Sequence, residues 1–264
     1  MMHICARPMP ADRGRRRFAT THWSQVVAAG GGSPDGETAL AELCEAYWYP
    51  VYAFIRRSGY SVEDGSDLTQ AFFTRVLEKQ FLKDARPERG RFRSFLLASV
   101  RHFLSNERDW RMTHKRGGRQ LHVPLDFGAG EERYQLEPAD ELTPERVYER
   151  RWTMAVLGKA MARLSSTYER TGRRELFASL SPHLTGDEPA SYREMAEALG
   201  TTEVSLRQAV YRLRTRYKTM LRQVIAETVA RDEDVDDELR YLLKVVGRPE
   251  RRAGGQHSPR GQPT

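Results

Sequence analysis

Between Ser205 and Gln223 the chain carries Arg207, Arg212, Arg214, Arg216, Lys218 and Arg222 and no acidic residue. Leu206, Val210, Leu213 and Tyr217 interleave with them at i, i+4, i+7 and i+11, the spacing of one helix face. A helix with one apolar side and cations on the others suits a polyanion. Its width fits the major groove of duplex DNA, side chains near its start reach base edges, and later cations meet phosphates. The segment before it strengthens that chemistry. Ser191-Tyr192-Arg193-Glu194 reads as a capping box that opens a helix. Met195 and Leu199 give that helix an inward face, and Ala196 is small where two helices must approach. Gly200 stands where a tight turn needs positive φ. The unit reads as a helix-turn-helix. An ordinary solvated amphipathic helix pair shares the apolar spacing, but the alanine-to-glycine spacing and the one-signed second helix favour DNA.

A second cluster lies far upstream. Asp67-Leu-Thr-Gln70-Ala-Phe-Phe73 is followed by Phe92-Arg-Ser-Phe-Leu-Leu-Ala-Ser-Val-Arg-His-Phe-Leu-Ser-Asn106. The elements that must position both clusters are helical, because the helical period dominates from about residue 37 and alternating strand patterns are scarce. The expected fold is all-α: two helical domains joined by a flexible linker. A basic leader, 1–17, is expected to be disordered, and the first domain spans 18–113. In it, a helix over Glu37–Ile55 carries Leu40, Leu43, Tyr47 and Val51, with Pro50 expected to bend it. A second helix starts at Ser61, with Asp64 as an acidic variant of the capping box, and a third runs from about Arg91 to Arg111. Gly117-Gly118, Pro124, Gly128, Gly130 and Pro138 break every candidate helix in a linker over 114–142. Thr143-Pro144 then opens the second domain, 143–230, with helices near 145–164, 166–180, 191–199 and 203–228. The C-terminal extension, 231–264, holds the acidic run 232–238 and a short amphipathic turn at Leu239, Leu242 and Leu243, and is expected to be largely disordered. Two readings of the extension stand: the acidic run folds onto the basic recognition helix, or it is a solvated terminus.

At these motifs the sequence resembles the extracytoplasmic-function (ECF) group of bacterial RNA polymerase sigma factors. Those proteins carry an Asp-Leu-x-Gln-Glu-x-Phe helix that docks on polymerase and a Phe-Arg-x-Trp/Phe-Leu helix that reads the −10 element. A helix-turn-helix of the form Tyr-x-Glu-(Ile/Met)-Ala-x-x-Leu-Gly reads the −35 element. The resemblance covers 18 to about 227, in order. The opening Thr20-Thr-His-Trp23 and the phrase Ala46-Tyr-Trp-Tyr-Pro50 look like one branch of the group. It implies a region 2-like domain, a linker and a region 4-like domain. Asp67 and Gln70 would form a polar face against the clamp helices of the β′ subunit of core RNA polymerase. Arg89, Arg91 and Arg93 would belong to a loop that captures a base flipped from the −10 strand, and basic and aromatic side chains suit an unpaired base and its phosphates. Arg101, His102, Ser105 and Asn106 would face −10 DNA. Ser205, Arg207, Gln208, Tyr211, Arg212 and Arg214 would face the −35 major groove. Phe92, Phe95, Phe103 and Leu104 are spaced as helix core rather than as DNA contacts. Departures are Ala71 for the usual Glu, His102 for a common Asn, Thr201 for Ile or Val, and Val204 for a common Gly.

Other chemistry finds no residues to carry it. The chain has 264 residues, a net charge of +7 and a pI near 9.5, enough for one or two domains and consistent with a polyanion partner. Cys5 and Cys44 show no CxxC spacing, and with seven histidines they fit no zinc pattern. There is no GxxxxGK[ST], HExxH or GxSxG, and Gly30-Gly-Gly32 lacks the lysine and hydroxyl of a phosphate loop. No cofactor or metal is expected, and no enzyme activity of the chain by itself. The unpatterned cysteines suit a reducing cytoplasm, the expected location, and no signal peptide or membrane span is read. The expected partners are core RNA polymerase and promoter DNA, and the resemblance allows an anti-sigma factor. The competing readings are a stand-alone helix-turn-helix regulator that dimerises on symmetric DNA, a nucleic-acid enzyme, and an interaction protein whose basic helix takes an acidic partner.

Overall fold

The computed structural model describes residues 23, 34–77, 91–113, 125–135, 142–185 and 191–247. Every regular element among them is helical, as the periodicity requires. The expected basic leader, Arg89 and residues 248–264 lie outside the described residues. Helix α1, Pro34–Arg57, buries Leu40, Leu43, Tyr47 and Val51. It survives Pro50 by kinking at Tyr47 (φ −127°, ψ 20°). A proline ring cannot donate to the carbonyl four residues back and crowds it, so the preceding turn opens. Helix α2, Val62–Leu77, starts where Ser61 Oγ accepts from the Asp64 amide at 3.1 Å and donates to the Asp64 carboxylate at 3.2 Å. Helix α3 spans Phe92–Thr113.

The expected linker contains a helix, α4, Phe127–Gln135, against the expectation that its glycines forbid one. Its docking supplies the reason. Arg56 of α1 holds Glu131 through two guanidinium nitrogens, at 3.0 and 2.8 Å, and the Tyr52 hydroxyl donates to the same carboxylate at 2.5 Å. Gly130 is where Trp48 passes: a Cβ there would lie 2.6 Å from the indole. The residue read as a breaker is the close-approach point of a helix stabilised by tertiary packing.

Helix α5, Pro144–Arg170, opens with Thr143 as N-cap and proline at its start, as expected. It does not break near residue 165. Tyr148, Trp152, Val156, Ala160, Leu164 and Tyr168 are buried at every fourth position straight through Ser165-Ser166. The helix ends only where the Thr171 hydroxyl bonds the carbonyls of Thr167 and Tyr168, at 3.2 and 3.0 Å. Each step of four residues overshoots a full turn by about 40°, so the stripe winds through roughly 200° along the helix. Its first half therefore faces α1 and α3, and its second half faces α6 (Arg174–Leu180), α8 (Tyr192–Ala198) and α9 (Glu203–Ala226). The short α7, Pro182–Thr185, lies between α6 and α8 in sequence.

The main core crosses the boundary expected at residue 143. Tyr148, Trp152 and Val156 of α5 and Leu221, Val224 and Ile225 of α9 share one buried cluster with Leu43, Tyr47, Phe72 and Phe92. The C-terminal extension joins it too. After a 3₁₀ turn over Asp232–Asp234, helix α10, Val235–Val246, buries Val235 and Leu242 in that cluster, so this part of the expected disordered tail is an ordered helix. Asp236, Asp237 and Glu238 sit in its first turn, where negative charge favours a helix.

Trp152 is fully buried and stacks on Tyr47 with ring centroids 4.2 Å apart and planes 22° off parallel. Trp152→Ala should lower unfolding stability by about 3–5 kcal/mol in urea titration. A loss below about 1 kcal/mol would mean that this stack does not join α5 to α1.

Candidate nucleic-acid interface

The helix-turn-helix forms from the signals expected of it. Ser191 Oγ accepts from the Glu194 amide at 3.2 Å, and Glu194 accepts from the Ser191 amide at 2.9 Å, a reciprocal box. The hydroxyl and, after it, the amide of Ser191 hold the Glu194 carboxyl below its ordinary range. Gly200 takes φ 59°, and the next amide, of Thr201, closes on the Ala196 carbonyl at 3.0 Å, satisfying an orphan acceptor of α8. Thr202 caps α9 by accepting from the Ser205 amide at 3.2 Å. Met195, Ala196, Leu206, Val210 and Leu213 then bury against Leu164, Tyr168 and Leu180, which fixes α9 on a scaffold built by α5 and α6. Leu199, expected inward, is 37% exposed because the turn begins there and carries it off the buried face. Tyr217 is half-buried, and its hydroxyl donates to the Leu157 carbonyl at 3.3 Å.

Ser205, Arg207, Gln208, Tyr211, Arg212 and Arg214 are all exposed on α9. Gln208, Tyr211 and Arg212 lie opposite the buried Leu206–Val210–Leu213 row. Arg207 and Arg214 lie along one flank, tied to the scaffold: Arg207 pairs with Glu203 at 3.3 Å and sits 4.8 Å over the Tyr192 ring, and Arg214 donates to the His183 carbonyl at 3.3 Å. The Ser205 hydroxyl accepts from Thr202 Oγ1 at 2.9 Å, so it belongs to the cap. The outward face gains a residue that sequence reading noted only as a departure. Val204 is 66% exposed and Tyr211 72%, and with Gln208 they stand at i, i+7 and i+4. Their spacing was available as the signal: they continue the face opposite the leucines.

A second exposed row lies on α3. Arg101, His102, Ser105 and Asn106 face solvent while Phe103 and Leu104 turn inward, as the spacing predicts. Arg101 pairs with Glu145 at 2.6 Å and holds its carboxyl below the ordinary range; Asn106 Nδ2 lies 3.3 Å from His102 Nδ1. The Arg101 pair is about half exposed, so it is worth roughly 0–1 kcal/mol and yields readily to another anion.

The structure separates the remaining residues. Asp67 is exposed, but Gln70 is buried and does not share its face. Helix α2 buries most of its circumference, from Gly65 and Leu68 through Thr74 and Val76. Its open strip is Glu63, Asp67 and Arg75, with the partly buried Ala71 in the same row, spaced by four. At the start of α3, Arg93 is bound by Glu238 of α10 at 2.6 Å, and Arg91 Nε lies 3.3 Å from the other oxygen of that carboxylate. Neither arginine stands free beside the row at 101–106.

Among the described residues no group of three or more His, Cys, Asp or Glu side chains is placed to hold a metal ion, and no helix is long and apolar enough to cross a membrane. Compared with family models, curated proteins and solved structures, the chain matches none.

A Cβ on Gly200 would meet nothing within 4 Å, so Gly200→Ala carries only the cost of the left-handed backbone. It should destabilise the protein by about 1–2 kcal/mol, measured by thermal melting. A loss well beyond that would show that the turn packs against something that a methyl group displaces.

Proposed function

We propose that the chain is an alternative sigma factor of the extracytoplasmic-function type, a cytoplasmic subunit that binds core RNA polymerase and selects promoters. The observation that carries the reading is the outward face of α9. It is free of acid from Ser205 to Gln223 and raised on a capped helix-turn-helix, with Gln208, Tyr211 and Arg212 exposed opposite the core row. Set in a major groove, those three side chains meet base edges, and Val204 offers methyl groups to a thymine. Arg207 and Arg214, on the flank, meet phosphates and set register. The exposed row Arg101, His102, Ser105 and Asn106 supports the second half of the reading, contact with the −10 strand. The polymerase contact falls on the exposed strip of α2, with Asp67 at its centre and Glu63 and Arg75 beside it. Gln70, buried in the same helix, lies off that strip. The chain performs no chemistry itself; it positions the polymerase.

The test is transcription by core polymerase plus the purified chain on a fragmented genomic library from the source organism. Initiation at one shared −35/−10 pattern, reduced by Asp67→Ala, is expected. Arg212→Ala should lose about 1–3 kcal/mol of discrimination at one base position, while Arg207→Ala should weaken all sequences alike and lower the salt slope by about 0.9. Sequence-specific DNA binding by the chain as a dimer, with no association with core, would instead make it a stand-alone regulator.

A further inference from the structure

The C-terminal helix α10 covers the start of α3 with two particular groups. The Glu238 carboxylate, 1% exposed, binds Arg93 at 2.6 Å and lies 3.3 Å from Arg91. The Tyr241 ring lies under the Arg93 guanidinium, 3.7 Å from its carbon to the ring centroid. An anion and a planar π face on adjacent turns of one helix are the two features that a nucleotide offers to arginine: a phosphate and a base. The surroundings reinforce the match. The Tyr148 hydroxyl donates to the Arg93 carbonyl at 2.9 Å, and the Phe92 amide donates to the Thr228 carbonyl at 2.9 Å, so the backbone carrying both arginines is held in place. Arg91 also forms an isolated antiparallel bridge with Val229, in the segment that leads to α10. The acidic run thus divides: Asp236 pairs with Arg222 of α9, whereas Glu238 goes to the start of α3.

We infer that α10 is an internal stand-in for a nucleotide, filling the Arg91–Arg93 site until single-stranded DNA displaces it. The inference rests on the proposed reading of α3 as a DNA-contacting helix. The exchange is between like interactions: the arginines keep an anion and a ring whether α10 or a DNA strand supplies them. What the protein loses on release is the packing of Val235, Leu239 and Leu242 on the core and the Asp236–Arg222 pair, so the site opens only to a ligand that binds elsewhere on the chain as well. In this way occupancy of the other DNA-reading residues is coupled to exposure of Arg91 and Arg93.

The experiment titrates the full chain with a short random-sequence single-stranded DNA across a range of salt, comparing wild type with Glu238→Gln. The variant should bind severalfold tighter at each salt concentration, with the same log–log salt slope, because both chains bring Arg91 and Arg93 to the strand once α10 is displaced. Adding Arg91→Gln and Arg93→Gln to the variant should abolish the gain. In the wild type, the same DNA should speed amide hydrogen exchange across 235–246, a readout that stands even where Glu238→Gln fails to fold. An unchanged affinity in a folded variant that binds DNA, or exchange in α10 that DNA leaves equal or slower, overturns the inference alone. Absence of binding by both chains overturns it together with the reading on which it rests.

Discussion

The indole of Trp152 lies flat on the phenol ring of Tyr47, and both are sealed from solvent between α1, α3 and α5. Phe92 closes on the same pair, 5.9 Å from Trp152 and 6.3 Å from Tyr47. This aromatic group does more than fill a core. It seats the first half of α5, and α5 is unbroken to Arg170, so its second half and the helix-turn-helix it supports are oriented by the same stack. A buried stripe of period four on a helix of period 3.6 is what lets one straight rod serve two cores on different sides. The C-terminal end of α9 returns to the first core through Leu221, Val224 and Ile225, and Glu227 beyond it is gripped by Lys159 at 3.2 Å and by Arg163. The two halves thus meet at both α5 and α9.

Charge is distributed between two regimes. On α9 most of the cations are exposed and face no acid, and the one acid near its start, Glu203, sits in the first turn, where it suits the helix dipole and pairs with Arg207. Such cations are solvated and screened, suited to long-range attraction and ready exchange. At the start of α3 the arginines are half-buried and face a carboxylate withdrawn from water. A buried ion pair gains little net stability over apolar packing, but breaking it by removing one partner leaves a charge stranded. Glu238 therefore specifies where α10 sits more than it stabilises the fold.

Elements whose signals are local were legible in the sequence. The Ser191–Glu194 box, the Gly200 turn, the Thr143-Pro144 start and the bend at Pro50 each depend on a few neighbouring residues, and each stands where the residues put it. The core row of α9 and the exposed row at 101–106 follow from period alone. What the sequence concealed depends on contacts far along the chain. Gly130 looks like a breaker until Trp48, some eighty residues earlier, is seen to need the space. Glu238 looks like one more solvated acid until it meets Arg93. Gln70 looks like part of a polar face because its type is polar, yet α2 is surrounded on that side. Polar residue types mark exposed faces only on helices with one neighbour, and α2 has more than one.

The central claim is that one chain presents two separate DNA-reading faces to a promoter, with polymerase between them. Site-specific photocrosslinking from Tyr211 and from His102, in a complex of the full chain, core polymerase and promoter DNA, tests it most directly. Both positions should label the same DNA molecule at sites about two helical turns apart, His102 on the unpaired strand and only when core is present. Labelling from Tyr211 alone, equally strong without core, would contradict it.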